Sequence, residues 1–307
     1  MRTEIVVASG ERMQATSAIS VSGGDGRRDS LFPYASWFAR LDQLALQFRA
    51  ADPYPHVVLD QFLDPQVAEA CAREFPPRRD ASWNHYTHVN ERKYAKSDRR
   101  AFPPMLQALI QELNSPRFLR FMQALTGIDA LIADEGLMGG GLHQSGNGGF
   151  LNIHADFTGH PHHPRWRRRV NLLVYLNPDW QESYGGELEL WDRQMSRCVR
   201  TTAPLMNRAL IFRTDPDAFH GHPTPMTCPE DFARRSLALY YFTDEAASFP
   251  VRSTEYRARP GDGARAAAIY LDKMALRGYD KVKRTFRLND DFASQLLRLL
   301  GGRDQRQ

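Results

Sequence analysis

Alternating apolar and polar positions, the pattern of half-buried β-strands, are concentrated between residues 149 and 242. Turn residues separate the segments that carry this pattern, which are GFLNIHADF, RRVNLLVYLNPDW, YGGELELW, ALIF and RRSLALYYF. Asn177-Pro178 ends the second segment, and a Gly-Gly pair opens the third. The pattern therefore predicts a group of short strands joined by turns.

Apolar residues at helical spacing precede this region. They predict helices over residues 34–50, about 101–113 and about 116–126, and Asp64 followed by Pro65 is typical of a helix start. Two further stretches are interpreted differently: PYPHVVLDQF predicts a strand, and WNHYTHVNERKYAKS predicts a strand followed by a mobile segment. Short strands preceded by helices favour a mainly β fold with a double-stranded β-helix (jelly-roll or cupin-like) core and helices on one sheet.

The ends of the chain differ from this core in composition. Residues 1–30 are rich in Ser, Gly, Arg and Asp without periodicity, which predicts a flexible leader. The core domain is expected over 31–250, and a basic, partly helical extension over 251–307. From Arg252 onward 13 Lys/Arg stand against 7 Asp/Glu, a surplus of +6, so the rest carries −2 of the net +4. This distribution argues against a nucleic-acid channel in the core.

Cysteine usage and hydropathy bear on the compartment. Cys71, Cys198 and Cys228 are widely spaced and form neither a disulfide framework nor a C-x-x-C pair. The N-terminal residues do not have the pattern of a signal peptide, and no apolar run is long enough to cross a membrane. We expect a cytoplasmic protein without membrane or nucleic-acid partners, and a homodimer is an open expectation.

The first strand of the core carries candidate metal ligands. His154 and Asp156 are two apart, so on a strand their side chains point to the same face. His220 follows in DAFHGHP, just past the apolar run ALIF. A strand-borne H-x-D with a distant His is the sequence form of the two-His, one-carboxylate triad that holds non-haem Fe(II) and leaves positions open for O2 and a co-substrate.

The last strand of the core carries a candidate carboxylate site. Arg234 and Ser236 are two apart in RRSLALYYF and share a face. A guanidinium beside a hydroxyl suits a bidentate grip on a carboxylate. Arg235 is the competing residue, but strand alternation places it on the other face.

In these motifs the chain resembles the prolyl-hydroxylase-like branch of the Fe(II)/2-oxoglutarate dioxygenases. The matching segments, in the family's order, are GGFLNIHADF, VNLLVYLNPDW, YGGELELW, FHGHP and RRSLALYYF. The resemblance covers roughly residues 130–245. It implies Fe(II), 2-oxoglutarate and O2 as cofactor and co-substrates, with ascorbate as a reductant.

The resemblance also implies roles for individual residues. His154, Asp156 and His220 would bind iron, and Arg234, with Ser236, would grip the far carboxylate of 2-oxoglutarate. Further co-substrate contacts are expected from Tyr175 and Gln144. His222 competes with His220, but the family's ligand precedes the Gly of H-G-x-P.

Nearby histidines have a different expectation. His160, His162 and His163 lie in the Pro-bearing segment GHPHHP, which predicts a loop at the entrance rather than a second metal site.

The resemblance implies hydroxylation of an unactivated C–H bond in a small molecule of amino-acid or secondary-metabolite type, with release of succinate and CO2. Asp156 favours hydroxylation over halogenation, because related halogenases have a small residue at this position. Two alternatives stay open: a peptidyl-prolyl or protein hydroxylase, and a metal-binding cupin without turnover. The Arg-x-Ser pair favours an enzyme over the metal-binding cupin.

Overall fold

The computed structural model describes residues 30–271. In this part of the chain the helices are α1 (Tyr34–Phe38), α2 (Leu41–Ala50), α3 (Pro65–Glu74), α4 (Pro104–Leu113) and α5 (Pro116–Thr126), together with a helical stretch at 264–271. The strands are β1 (His56–Asp60), β2 (Asn84–His88), β3 (Glu91–Lys96), β4 (Ile132–Ala133), β5 (Gly141–Ser145), β6 (Phe150–Ala155), β7 (Trp166–Tyr175), β8 (Leu188–Trp191), β9 (Cys198–Thr202), β10 (Arg208–Arg213), β11 (His220–His222), β12 (Arg234–Asp244) and β13 (Glu255–Tyr256).

The strands form two antiparallel layers. One layer has the order β1-β10-β7-β12-β5, the other has the order β6-β11-β8-β9, and β3 joins them by pairing with both β5 and β6. Along the chain, β5 to β12 cross repeatedly from one layer to the other. This winding is that of a double-stranded β-helix, so the predicted fold class is confirmed.

The helices cover the outer face of the first layer. Their buried side chains form one core with alternate residues of β5, β7, β10 and β12, among them Leu142, Leu172, Ile211 and Leu239. The other face of these strands is turned toward the second layer, where Tyr175 and Leu210 pack with Leu188 and Leu190. The prediction of helices packed on one sheet is therefore confirmed.

Local signals set the helix starts. Asp64 Oδ1 accepts a hydrogen bond from the backbone N–H of Gln66 at 2.9 Å, which caps α3. Ser115 caps α5 in the same way through Phe118 N at 3.2 Å. Helix α4 begins at Pro104 rather than near residue 101, because Phe102 precedes a proline and is extended.

Two sequence predictions need correction. The predicted helix over 34–50 is broken at residues 39 and 40. In its first part Trp37 is buried and Phe38 is 42% exposed. Residues 84–96 form the two-stranded hairpin β2–β3 instead of a strand and a mobile segment. Every residue of β2 is exposed, so the segment has no apolar alternation that would reveal a second strand.

Other predictions concern the ends. The helix predicted in AAAIYLDKMAL is confirmed for residues 266–271, and its remainder lies outside the described residues. The leader up to residue 29 and the helix predicted in DDFASQLLRLL also lie outside them. The domain boundary at residue 250 stays a prediction, although β13, which follows it, pairs with β6. Between residues 30 and 271, no helix has the length and apolar character needed to span a bilayer.

Candidate active site

His154, Asp156 and His220 converge at one point between the two layers. Nε2 of His154 lies 3.6 Å from Asp156 Oδ1, and Nε2 of His220 lies 3.5 Å from Asp156 Oδ2. One ligand atom from each of the three residues lies within 4.8 Å of the others. His220 is the direct cross-strand partner of His154 in the β6–β11 pair, so the sheet register brings the two imidazoles together.

Backbone carbonyls fix the tautomers of both imidazoles. His154 Nδ1 lies 2.9 Å from Asn152 O, and His220 Nδ1 lies 3.0 Å from Ala218 O. Because a carbonyl oxygen only accepts, each Nδ1 carries the proton and donates it. Each Nε2 lone pair is therefore free to bind a cation, as a metal-ligating histidine requires.

A buried arginine and an asparagine hold the carboxylate of Asp156. Asp156 Oδ2 accepts a hydrogen bond from Asn171 Nδ2 at 2.7 Å and lies 3.0 Å from Arg168 Nη2. Arg168 also donates to Asn171 Oδ1 from Nε and Nη2, at 2.9 and 2.7 Å. The Arg168 side chain is 1% exposed, and its guanidinium lies over the ring of Tyr240, with Cζ 3.4 Å from the centroid. These contacts orient Asp156 before any ion is bound.

Sequence reasoning missed Arg168 and Asn171. Counting back by twos from Tyr175 along β7 reaches Asn171 and then Arg169, which predicts Arg169 on the inner face. The register between β7 and β12 shifts at this point: Val170 pairs with Tyr241, but Arg168 pairs with Phe242. The extra residue of this bulge places Arg168 next to Asp156, and no feature of RRRVN marks the bulge.

The charges of the site suit a divalent cation. Burial by itself would raise the pKa of Asp156, but Arg168, His220 and His154 outweigh burial and hold that pKa well below the usual range. Burial lowers the pKa of His220 to about 4, although Asp156 opposes the shift. The metal-free site therefore presents an ionised carboxylate and a neutral imidazole near neutral pH.

We predict that the metal-free protein loses stability as the pH falls from 7 to 5. The pKa of His220 is about 4. Burial, followed by the charges of Lys93 and Arg234, lowers the pKa of His143 to about 3. As the pH falls, the unfolded chain therefore binds protons at these two histidines before the folded chain does. Each group then removes roughly 1.4 kcal/mol per pH unit below about 6.5, which gives a loss on the order of 2–4 kcal/mol at pH 5. Urea unfolding at the two pH values measures the loss, and His143→Gln should reduce it. A free energy of unfolding that is constant over this range would contradict the buried, neutral state of both rings.

Arg234 lies in the same cavity as the triad. This cavity has a volume of about 300 Å³ and is lined by residues of both layers, including His154, Asp156, His220, Arg234 and Ser236. Arg234 is 6% exposed, its Nε donates to Gly186 O at 2.7 Å, and its Nη2 donates to Tyr175 Oη at 3.3 Å. Neither contact uses Nη1, so the guanidinium can meet a carboxylate from the cavity.

Two sequence motifs position Arg234. Asn177, in the segment YLNPDW, accepts a hydrogen bond from the backbone N–H of Arg235 at 2.5 Å and donates to Arg235 O at 3.1 Å, which anchors the start of β12. Gly186, in YGGELELW, has φ +86°, and a Cβ there would lie 3.0 Å from Cδ of Arg234. The glycine thus permits the close approach of backbone and guanidinium.

The competing residues His222 and Arg235 have different surroundings from His220 and Arg234. His222 is buried in the cavity wall but does not belong to the three-residue ligand group, and its Nδ1 has no hydrogen-bond partner among the described residues. Gly221 separates it from His220, and a Cβ there would lie 2.7 Å from the carbonyl oxygens of Leu151 and Asn152. Arg235 points to the helices, where Nη1 donates to Ala72 O at 3.4 Å and Cζ lies 5.7 Å from the ring of Phe75.

The two further co-substrate contacts expected from the sequence differ in placement. Tyr175 is fully buried, pairs with Ser236 in the register, and contacts Arg234 rather than lining the cavity itself. Gln144 belongs to the cavity wall, yet its strand partner is Arg235, whereas His143 is the partner of Ser236. The register therefore places His143 on the face of Ser236. The roles of Tyr175 and Gln144 stay predictions.

The histidine loop does not line the cavity, so the expectation that it forms the entrance is wrong. His160 is 4% exposed, and its Nε2 lies 3.5 Å from Asp134 Oδ1. Its ring packs against Trp166 and Phe242. Over residues 30–271, the triad is the one group of three metal-ligating side chains close enough to share an ion.

The donor set fits Fe(II) and the cavity fits 2-oxoglutarate. Two imidazoles and one carboxylate, grouped on one side of a cavity, are the ligands of non-haem Fe(II) oxygenases. A buried guanidinium in the same cavity matches the distal carboxylate of the co-substrate.

Comparisons with known proteins agree with this geometry. The family model described as "2OG-Fe(II) oxygenase superfamily" matches residues 140–242. A curated relative, the prolyl 3-hydroxylase OGFOD1 of Mus musculus, is 28% identical over 79 residues, which are 24% of this chain and 14% of the mouse protein. This chain therefore matches only a small part of that relative.

Two prolyl 4-hydroxylases are among the solved structures that match this chain. The Pseudomonas putida enzyme is 18% identical with a TM-score of 0.46 and covers 66% of this chain and 99% of its own. The Phytophthora capsici enzyme is 24% identical with a TM-score of 0.48 and covers 74% of this chain and 69% of its own. The range that matches the 2OG-Fe(II) oxygenase superfamily, residues 140–242, is the same part of the chain that carries the candidate triad and Arg234.

Proposed function

We propose that this chain hydroxylates an unactivated C–H bond of a small molecule of amino-acid or secondary-metabolite type, using Fe(II), 2-oxoglutarate and O2. The observation that carries the proposal is the shared cavity, in which His154, Asp156 and His220 face the same space as Arg234. When bound, Fe(II) with 2-oxoglutarate and O2 supplies oxidative decarboxylation to succinate and CO2 and the delivery of one oxygen atom to the C–H bond.

The residues around the cavity position the metal ligands and the co-substrate. Asn152 O and Ala218 O keep Nδ1 of the two histidines protonated, so that both Nε2 atoms stay available to the metal. Arg168 and Asn171 hold Asp156 ionised and in one orientation. Arg234 pairs with the distal carboxylate of 2-oxoglutarate, which places the other end of the molecule toward the triad.

Apolar side chains complete the cavity. Leu173, Leu188, Ala238 and Phe157 line it together with the polar groups. They exclude water from part of the cavity, which strengthens the ion pair with Arg234 and protects the oxidising chemistry from solvent.

Two other functions have less support from the site. A peptidyl-prolyl hydroxylase has the 28% match to a prolyl 3-hydroxylase in its favour, over a short part of that protein. A metal-binding cupin without turnover does not explain the buried guanidinium of Arg234, because metal binding alone needs no partner for a carboxylate in the same cavity. The cavity volume of about 300 Å³ favours a small substrate, or one residue of a larger one.

We predict that the product gains one oxygen atom from O2 and that chloride or bromide does not change its yield. Asp156 supplies an anionic ligand where a halide would otherwise bind, and its Oδ2 is already held by Asn171 and Arg168. Mass spectrometry of the reaction under 18O2 should show one 18O in the product and one in succinate. A chlorinated or desaturated product without 18O would refute hydroxylation.

Asp156→Gly should mostly lose iron, because two imidazoles alone hold Fe(II) weakly.

A further inference from the structure

The β2–β3 hairpin adds a charged wall to the cavity that the family motifs do not include. Alternate residues of the two strands line the cavity, namely Asn84, Tyr86, Glu91, Lys93 and Ala95. Strand β3 joins the two layers through β5 and β6, so this wall lies beside the triad strand and the strand that pairs with Arg234. The hairpin therefore places an acid and a base on the surface that meets a substrate.

Glu91 and Lys93 form a close ion pair at this wall. Lys93 Nζ lies 2.9 Å from Glu91 Oε2, and the side chains are 19% and 15% exposed. An ammonium has three donors and a carboxylate has about four acceptor sites, so one contact leaves hydrogen-bonding capacity on both groups. Partial burial makes unused capacity costly, and a ligand with matching charges would fill it.

The charge of Lys93 acts on the interior of the cavity. Burial lowers the pKa of His143 to about 3, and Lys93 is the largest charge contribution to that shift, ahead of Arg234. The ring of Tyr86, 5.8 Å from Lys93 Nζ, stands beside the pair and is 42% exposed. The ion pair is thus part of the electrostatic environment of the cavity and not of the outer surface alone.

The charged wall favours a substrate that carries both signs. Glu91 cancels Lys93, so the wall has no net charge of its own and favours neither a cation nor an anion. A small molecule with one positive and one negative group could pair both of them at once, because Glu91 and Lys93 lie next to each other.

We infer that Glu91 and Lys93 bind the ammonium and carboxylate groups of a free α-amino acid, which is then the substrate class of the site; the inference rests on the proposed function. The ammonium meets the Glu91 carboxylate, and the substrate carboxylate meets the Lys93 ammonium. An internal residue of a peptide carries neither charge. The site thus discriminates against peptidyl substrates, because they have no charged backbone group to bind to Glu91 or Lys93.

Binding of amino acids tests the inference without turnover. Protein loaded with Fe(II) and 2-oxoglutarate under nitrogen is titrated in a calorimeter with each proteinogenic L-amino acid and with its N-acetyl amide. We expect at least one free amino acid to bind and its blocked form to bind about 10- to 100-fold more weakly, since removing a charge-assisted hydrogen bond weakens binding by a factor of this size. Binding of no free amino acid, or equal binding of blocked forms or peptides, would overturn the inference.

Variants locate the amino-acid site. Lys93→Met and Glu91→Gln should each weaken binding of the amino acid about 10- to 100-fold, whereas Arg92→Met, which removes a charge from the same strand outside the cavity lining, should not. Binding of 2-oxoglutarate to Lys93→Met should be unchanged, which also shows that the variant is folded. If Lys93→Met instead weakens 2-oxoglutarate binding as Arg234→Ala does, Lys93 belongs to the co-substrate site and the inference fails. Tight binding of the free amino acid without its oxidation in air would refute the proposed function alone.

Discussion

Replacing His220 or His154 by alanine is expected to abolish iron binding and turnover together. Each imidazole contributes one of the three ligand atoms that lie within 4.8 Å of one another. The group holds no fourth ligand that could replace a lost imidazole among the described residues. Two remaining ligands hold Fe(II) weakly, because a facial triad binds the ion through all three of its side chains. Metal analysis after anaerobic reconstitution and desalting should give one iron per chain in the natural protein and none above background in either variant.

His222→Ala is the matched control for this prediction. His222 is two residues from His220 and as deeply buried, with exposed fractions of 4% and 5%, but it does not belong to the ligand group. The variant should keep its iron. Loss of iron in His222→Ala with retention in His220→Ala would transfer the ligand role to His222.

Arg234→Ala is expected to raise the 2-oxoglutarate requirement by roughly one to three orders of magnitude. Arg234 is 6% exposed, so a charge-assisted pair with it is strong. Removing one partner of such a pair costs ~2–5 kcal/mol, and about 1.4 kcal/mol corresponds to a tenfold change in affinity. Iron binding should survive, because no contact of the triad runs through Arg234. Calorimetric titration of iron-loaded protein with 2-oxoglutarate under nitrogen measures the effect directly.

Arg235→Ala serves as the control for Arg234. It also removes a guanidinium from β12, but from the side that packs against Phe75 and Ala72 in the helical layer. We expect its effect on stability and not on 2-oxoglutarate affinity. Unchanged affinity in Arg234→Ala combined with weakened affinity in Arg235→Ala would assign the carboxylate to Arg235.

Two pairs of site residues could be predicted from the sequence because their signals are local. His154 and Asp156 share a face through the two-residue period of a strand, and Arg234 and Ser236 do so on β12. No local pattern states that β6 and β11 are neighbours. Their pairing, which brings His220 to His154, follows from the family resemblance and is seen in the register of the sheet.

The residues that sequence reasoning missed depend on irregular or non-local structure. Arg168 reaches Asp156 only because a bulge in β7 reverses the expected alternation. Glu91 and Lys93 lie on a hairpin whose outer strand is exposed throughout, so apolar periodicity could not identify it. The pairing of Gln144 with Arg235 likewise depends on the register between β5 and β12, which the sequence does not encode locally.

The most direct test of the site is the fate of 2-oxoglutarate. Metal-free protein is reconstituted with Fe(II) in the presence of O2 and ascorbate, and 2-oxoglutarate and succinate are quantified over time, with His220→Ala in parallel. The arrangement of His154, Asp156, His220 and Arg234 predicts equimolar loss of 2-oxoglutarate and gain of succinate that requires Fe(II) and falls to background in the variant. Succinate formation that does not need Fe(II), or that persists undiminished in His220→Ala, would contradict this assignment.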